Sequence, residues 1–168
     1  MARSDHWQGG LPRRVTLLRL TLGPGGAVAS APLLTLHSLG GDRGIALEEL
    51  APRPSATGLA YRLRHFTRLG SGAIDTLAIA PATDLSQGIE LARGGAGQGL
   101  AWSPDGARLA AALDGRIMIY TAAGAGGAPL TPEGAEASDL LWLDDQLWFN
   151  VTDATGSHVR RIPAPAGQ

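Results

Sequence analysis

The residue types that carry enzyme chemistry are sparse in this sequence and lie far apart. The four histidines form no HExxH pair, so they lack the spacing of a zinc site. Cysteine is absent, which excludes disulfides, thiolate catalysis and cysteine-bound zinc. Lysine is absent as well, which excludes a P-loop, and Leu69–Gly72 lacks the GxSxG spacing of a serine nucleophile elbow.

Two further segments have the composition of a binding site without its spacing. Gly94–Gly99 is as rich in glycine as a dinucleotide loop, but it lacks the G-x-G-x-x-G order and precedes a predicted strand instead of a helix. Asp144, Asp145 and Asp153 could together bind Ca²⁺ weakly, yet they lack the EF-hand order and are better explained as turn residues. We therefore predict no catalytic residue, no metal and no cofactor.

Charge and hydropathy argue against two classes of partner. The net charge is −1, and the basic residues are arginines scattered without interleaved aromatic residues, so we expect no nucleic-acid binding. The apolar stretches are too short to cross a membrane, and residues 1–10 lack the apolar core of a signal peptide. The sequence as written predicts a soluble cytoplasmic protein, or a periplasmic one if an N-terminal segment is missing.

Short apolar runs separated by glycine and proline predict an all-β protein. In Leu59–Phe66, one set of side chains, Leu59, Tyr61, Leu63 and His65, alternates with a second set, Ala60, Arg62, Arg64 and Phe66. A period of two residues is typical of a strand. Val15–Leu22 and Val28–Leu36 flank the glycine-rich segment Gly23–Gly26 and predict a hairpin.

Helix remains the alternative for two short segments, Ile45–Leu50 and Glu133–Leu141. We place one domain at residues 15–163, between a flexible N-terminal tail at residues 1–14 and a C-terminal tail at residues 164–168.

The second half of the chain contains a repeat. Trp102 and Trp142 are 40 positions apart, and each ends an apolar run that leads into an aspartate-bearing turn. These turns are Ser103–Gly106 and Leu143–Gln146, and each is followed by two more predicted strands. A period near 40–45 residues with four short strands per unit is typical of a propeller blade.

The segment Leu100–Ala110, with the letters LAWSPDGARLA, resembles the repeat signature of the TolB-type, WD40-like β-propellers. Asp114–Tyr120 is similar to the third strand of such a blade, and Pro129–Thr131 to its transition into the next blade. The likeness is weaker over Leu140–Ile162, and over Ile45–Arg93 it consists of strand spacing alone. The resemblance implies a bacterial protein–protein interaction module of the cell envelope.

The physical chemistry of the repeat assigns structural roles to its residues. Pro104 presets φ for a turn, Ser103 and Asp105 can bond the turn backbone, and Gly106 accepts a positive φ. The two tryptophans are expected between adjacent blades, where a large ring covers apolar surface. The predicted structural repeat residues are Trp102, Ser103, Pro104, Asp105, Gly106, Trp142, Asp144 and Asp145.

The strands add up to about three and a half to four four-stranded antiparallel blades, at the lower limit of closed propellers, which have roughly four to eight. Three arrangements remain open: a compact four-bladed ring, a fragment of a longer propeller, and a ring completed by association. An open fan exposes a sheet face and strand edges that favour association, as a homodimer or in a larger assembly.

Three functions are compatible with these features. We expect a non-catalytic propeller scaffold or binding module that engages protein partners, although fold by itself does not define function. The alternatives are a non-catalytic propeller fragment related to those that gate prolyl-oligopeptidase-type hydrolases, and a structural subunit of a larger assembly.

Overall fold

The computed structural model describes residues 2–8, 11–37, 42–54, 57–67, 73–94, 97–132 and 136–165. Strands dominate these ranges, and the helical elements among them are two short 3-10 turns at Pro24–Gly26 and Leu85–Gln87. None of the helical segments described is long or apolar enough to span a membrane. The all-β prediction is confirmed. Of the two segments with a helical alternative, Ile45–Leu50 is strand, and so is the second from Ala137 to Leu141.

The first antiparallel sheet has three strands, β1 (Ala2–Gln8), β2 (Leu11–Leu22) and β3 (Val28–His37), in the order β1-β2-β3. Sequence analysis assigned the region of β1 to a flexible tail. The structure instead pairs it with β2, with Ser4 opposite Val15. Pairing with β2 gives the backbone N–H and C=O groups of β1 hydrogen-bond partners, which is why this segment forms a strand.

The remaining strands form three more antiparallel sheets in which strand order follows chain order. The second sheet contains β4 (Asp42–Pro52), β5 (Gly58–Thr67), β6 (Ala73–Pro81) and β7 (Ile89–Arg93). The third contains β8 (Leu100–Trp102), β9 (Arg108–Leu113), β10 (Arg116–Thr121) and β11 (Gly126–Pro129). The fourth contains β12 (Ala137–Leu143), β13 (Gln146–Asp153) and β14 (Gly156–Pro163).

The second sheet buries both of its faces. On β5, Leu59, Tyr61 and Leu63 belong to the apolar cluster shared with the first sheet. Ala60, between them in sequence, belongs to the cluster shared with the third sheet. Successive side chains of a strand point to opposite faces, so a strand covered on both sides is apolar at consecutive positions.

The third sheet repeats this arrangement one layer further along the stack. On β9, Leu109 and Ala111 pack toward the second sheet, and Ala110 packs toward the fourth. All three are fully buried. β9 carries three fully buried alanines, Ala110 to Ala112. Because their side chains are short, we infer that the sheets on either side of β9 approach closely.

One buried ion pair joins the second sheet to the third. The Arg62 guanidinium is fully buried, and its Nε donates to Oε2 of Glu49 at 2.7 Å. Its Nη2 donates to the Ala112 carbonyl at 2.8 Å, while Oε1 of Glu49 accepts from the Gly99 amide at 2.6 Å. The pair therefore connects β4 and β5 to the backbone of the third sheet.

Leu109→Ala should lower the free energy of unfolding by about 3 kcal/mol, because it leaves a cavity between two sheets that close only partly around it. Leu22→Ala is the matched control, since Leu22 on the first sheet is 77% exposed, and it should change stability by less than about 0.5 kcal/mol. Urea denaturation followed by circular dichroism measures both values. Equal effects of the two substitutions would contradict the packing described for the third sheet.

Glu49→Gln should destabilise the protein by about 3 kcal/mol, because it leaves the buried Arg62 guanidinium without its countercharge. Replacing both partners, with Glu49→Leu and Arg62→Met, should cost less than Glu49→Gln alone, since apolar packing often substitutes for a buried ion pair. The same denaturation experiment tests this order, and a double variant less stable than the single one would contradict it.

Candidate functional site

The predicted turn Ser103–Gly106 is built around one carboxylate. The Ser103 hydroxyl donates to Oδ1 of Asp105 at 2.5 Å and accepts from the Arg108 amide at 2.9 Å. Asp105 also accepts from the Ala107 amide at 2.9 Å. The hydrogen bond from Ser103, followed by that from the Ala107 backbone, holds the pKa of Asp105 below its usual value.

Gly106 brings this turn against the second sheet. Its φ is 68°, and its carbonyl accepts from Nε of Arg53 at 2.6 Å. A Cβ atom at this position would lie 2.6 Å from the Pro54 carbonyl oxygen, so both the backbone angle and the space require glycine. The turn is therefore a contact between sheets, and Pro104 and Asp105 are its exposed residues.

Both predicted tryptophans lie between sheets, each under an arginine of the preceding sheet. Trp102 is buried, its indole N–H donates to the Ala51 carbonyl at 3.0 Å, and the Arg53 guanidinium lies 5.6 Å from its ring centroid. Trp142 is buried as well, with the Arg108 guanidinium 5.1 Å from its ring centroid. The repeat in the sequence thus corresponds to a repeated cation–π contact in space.

The three aspartates that sequence analysis considered for Ca²⁺ lie at exposed turns of the fourth sheet. Asp144 has a φ of 50° and, with Asp145, connects β12 to β13. Asp153 accepts from the amide and hydroxyl of Thr155, at 2.8 and 2.6 Å, and these bonds lower its pKa. In the described part of the chain, no three histidine, aspartate or glutamate side chains are grouped as metal ligands would be.

A cleft of about 350 Å³ opens beside Trp102, between the second and third sheets. We call it the Trp102 cleft. Its lining residues are Arg53, Thr57, Gly58, Leu59, Ile79, Ala80, Pro81, Gln87, Ile89, Trp102 and Ala122. Sequence reasoning did not find this cleft, because its residues come from distant segments that meet only after the sheets stack.

The fourth sheet exposes the face that points away from the third sheet. Leu141, Leu143 and Val159 are 53%, 50% and 67% exposed. Leu141 lies opposite Trp148, which in turn lies opposite Arg161, and the Arg161 guanidinium is 5.4 Å from the Trp148 ring centroid. We call these five residues the open face. The alternation along β13 is the sequence signal that could have indicated it, since Leu147 is fully buried between the half-buried Gln146 and Trp148.

Ser103→Ala should weaken the pH dependence of stability, because the Ser103 hydroxyl is the main cause of the lowered pKa of Asp105. A lowered pKa contributes stability above the unfolded-state value, and this stability is lost as the pH falls through the folded-state value. Unfolding free energies at about pH 6 and about pH 3 should therefore differ less in this variant than in the wild type. Ser30→Ala on the exposed part of β3 is the control, and an unchanged difference in Ser103→Ala would refute the assignment.

Comparisons by sequence identify no relative: no protein-family model matches the chain, and no curated protein matches it. Comparison by structure finds proteins with a similar fold. The apo AtxE2 isopeptidase matches with a TM-score of 0.51 and 18% identity, over 61% of this chain and 20% of the isopeptidase.

A luciferin-regenerating enzyme matches with a TM-score of 0.51 and 18% identity, over 94% of this chain and 61% of that enzyme. The chain thus spans less than two thirds of the length of either protein. Likeness at this identity concerns the fold alone. Together with the four stacked antiparallel sheets, it shows that the chain has a β-propeller fold, arranged as a partial propeller.

Proposed function

We propose that this chain is a non-catalytic, TolB-type propeller module that acts through protein–protein contacts, and that a second copy of the chain covers its open face. The main observation that supports this proposal is the exposed apolar surface of the open face. The four described sheets make three contacts with one another, and each contact buries an apolar cluster. The open face has no described sheet against it, and it leaves Leu141, Leu143 and Val159 exposed to solvent.

Charges on the open face support a second copy as the occupant. Arg161 lies on β14, at one margin of the sheet, and makes no ion pair with any residue that the structure describes. Asp139 lies on β12, at the opposite margin, where its carboxylate accepts from the Asn150 side chain at 3.0 Å. A two-fold axis parallel to the strands places β12 of one copy across from β14 of the other, so that Asp139 and Arg161 face each other twice.

Side-chain geometry supports a non-catalytic role. Thr155, His158 and Asp153 are in mutual contact, which superficially suggests a hydrolytic triad. However, Thr155 and Asp153 both approach the same histidine nitrogen, Nε2, at 2.8 and 3.4 Å. In a triad the acid binds the other ring nitrogen and leaves Nε2 to the nucleophile. The group is better explained as the turn between β13 and β14.

The TolB-type assignment is supported by the motif turn, with Ser103 to Gly106 folded against the preceding sheet. The structural matches include two proteins whose names describe enzymes. Because the chain spans one fifth of the isopeptidase, a role as the propeller part of a longer hydrolase is the second candidate. Peptide hydrolysis by the purified chain would contradict the non-catalytic proposal.

Light scattering on a sizing column should give about twice the 17.3 kDa mass of the chain. Leu141→Glu should yield monomer, because it places a charge within the buried surface. Leu22→Glu, at a 77% exposed position of the first sheet, is the matched control and should stay dimeric.

A charge exchange tests the pairing itself. Asp139→Arg alone and Arg161→Asp alone should each weaken the dimer, and the double variant should restore it, since the two charges simply change places. A monomeric wild type with a cooperative melt would overturn the second copy as occupant. A dimer that survives Leu141→Glu would show that another surface is used.

A further inference from the structure

We infer that the Trp102 cleft is a binding site for a carboxylate that carries an apolar body, either a small organic acid or the C-terminal residue of a polypeptide. This site lies between the second and third sheets and is separate from the open face of the fourth. It therefore does not depend on the proposed self-association.

The apolar walls of the cleft define the body of the ligand. Leu59, Ile79 and Pro81 of the second sheet line it together with Ile89, and the buried Trp102 lies among them. A volume of about 350 Å³ lies within the range of natural ligand pockets. Ile89 is 50% exposed, so an apolar group seated here would remove it from water.

Arg53 supplies the charge. It lines the cleft, and two contacts hold it there: its Nε donates to the Gly106 carbonyl at 2.6 Å, and its guanidinium stacks over the Trp102 ring. Its terminal amino groups make no hydrogen bond or ion pair among the described residues. A guanidinium fixed in this way is preorganised to bind a carboxylate through those two groups.

No carboxylate lines the cleft within the described residues. Two acids lie close to the lining residues in sequence. Glu90 follows Ile89 and accepts from the Arg93 guanidinium at 3.1 and 2.9 Å. Asp84 accepts from the Ser86 amide and hydroxyl and from the Gln87 side chain, at 3.0, 2.6 and 2.9 Å. Asp84 is thus engaged in its own turn, and it holds Gln87 in place at the rim. Thr57 and Gln87 remain as neutral polar groups beside Arg53. One cation, a neutral polar rim and apolar walls together favour a singly charged anion with an apolar body.

Isothermal titration calorimetry with defined probes tests the inference. 4-Phenylbutyrate combines a carboxylate with an apolar body, 4-phenylbutyramide lacks the charge, and acetate lacks the body. We expect 4-phenylbutyrate to bind about tenfold more tightly than its amide, because a charge-assisted hydrogen bond is lost in the amide. Acetate should not bind measurably.

A second pair of probes distinguishes the two sources of the carboxylate. A hexapeptide that ends in phenylalanine with a free carboxylate is compared with the same peptide ending in an amide. Binding of the free-carboxylate peptide at least as tight as that of 4-phenylbutyrate identifies a polypeptide C-terminus as the ligand. Binding of 4-phenylbutyrate alone identifies a small acid.

Arg53→Gln should weaken binding of 4-phenylbutyrate about tenfold, because it removes the charge. Arg108→Gln is the matched control: Arg108 stacks on Trp142 as Arg53 does on Trp102, but it does not line the cleft. It should leave the affinity within about twofold. Ala122→Leu, which fills the cleft and keeps Arg53, should abolish binding, and circular dichroism confirms that each variant folds.

Three results would overturn the inference: no binding of either carboxylate probe, equal binding of 4-phenylbutyrate and its amide, or equal binding by wild type and Arg53→Gln. Leu141→Glu separates this proposal from the proposed function. It should abolish the dimer and leave 4-phenylbutyrate binding intact, so either proposal can fail without the other.

Discussion

The structure depends on one constraint, that a sheet inside a stack must be covered by another sheet on each of its faces. The second and third sheets meet this condition, with Leu59 and Ala60 of β5, and Leu109 and Ala110 of β9, packed in opposite directions. Such a stack is stabilised mainly by contacts between nearest neighbours, as in other repeat architectures. The end of the stack then determines which surface remains exposed.

Polar contacts between the sheets add specificity to this apolar packing. The Arg62–Glu49 pair bonds to the backbone of the third sheet at Ala112 and Gly99. An apolar surface tolerates small shifts of one sheet along another, whereas buried charges with directional hydrogen bonds do not. We therefore regard the ion pair, together with the Trp102–Arg53 contact, as the features that align the second sheet with the third.

Both candidate surfaces follow from the same geometry. The open face exists because β13 buries Leu147 on one side and has no described sheet on the other. The Trp102 cleft is lined by residues of the second and third sheets that meet beside the indole ring. The arginines at these surfaces, Arg161 and Arg53, each stack on a tryptophan, which orients a charge that water would otherwise leave mobile.

The motif turn and most of the strands could be predicted from the sequence, because both depend on neighbouring residues, whereas β1 (Ala2–Gln8) could not. Period-two alternation identifies β5, and Ser103 to Gly106 carry their own turn chemistry. Only the tertiary structure decided that Arg53 meets Trp102 across 49 positions (102 − 53), and that Leu141, Trp148 and Arg161 share one face. Those contacts depend on strand register and on how sheets stack, and neither is encoded in any local spacing.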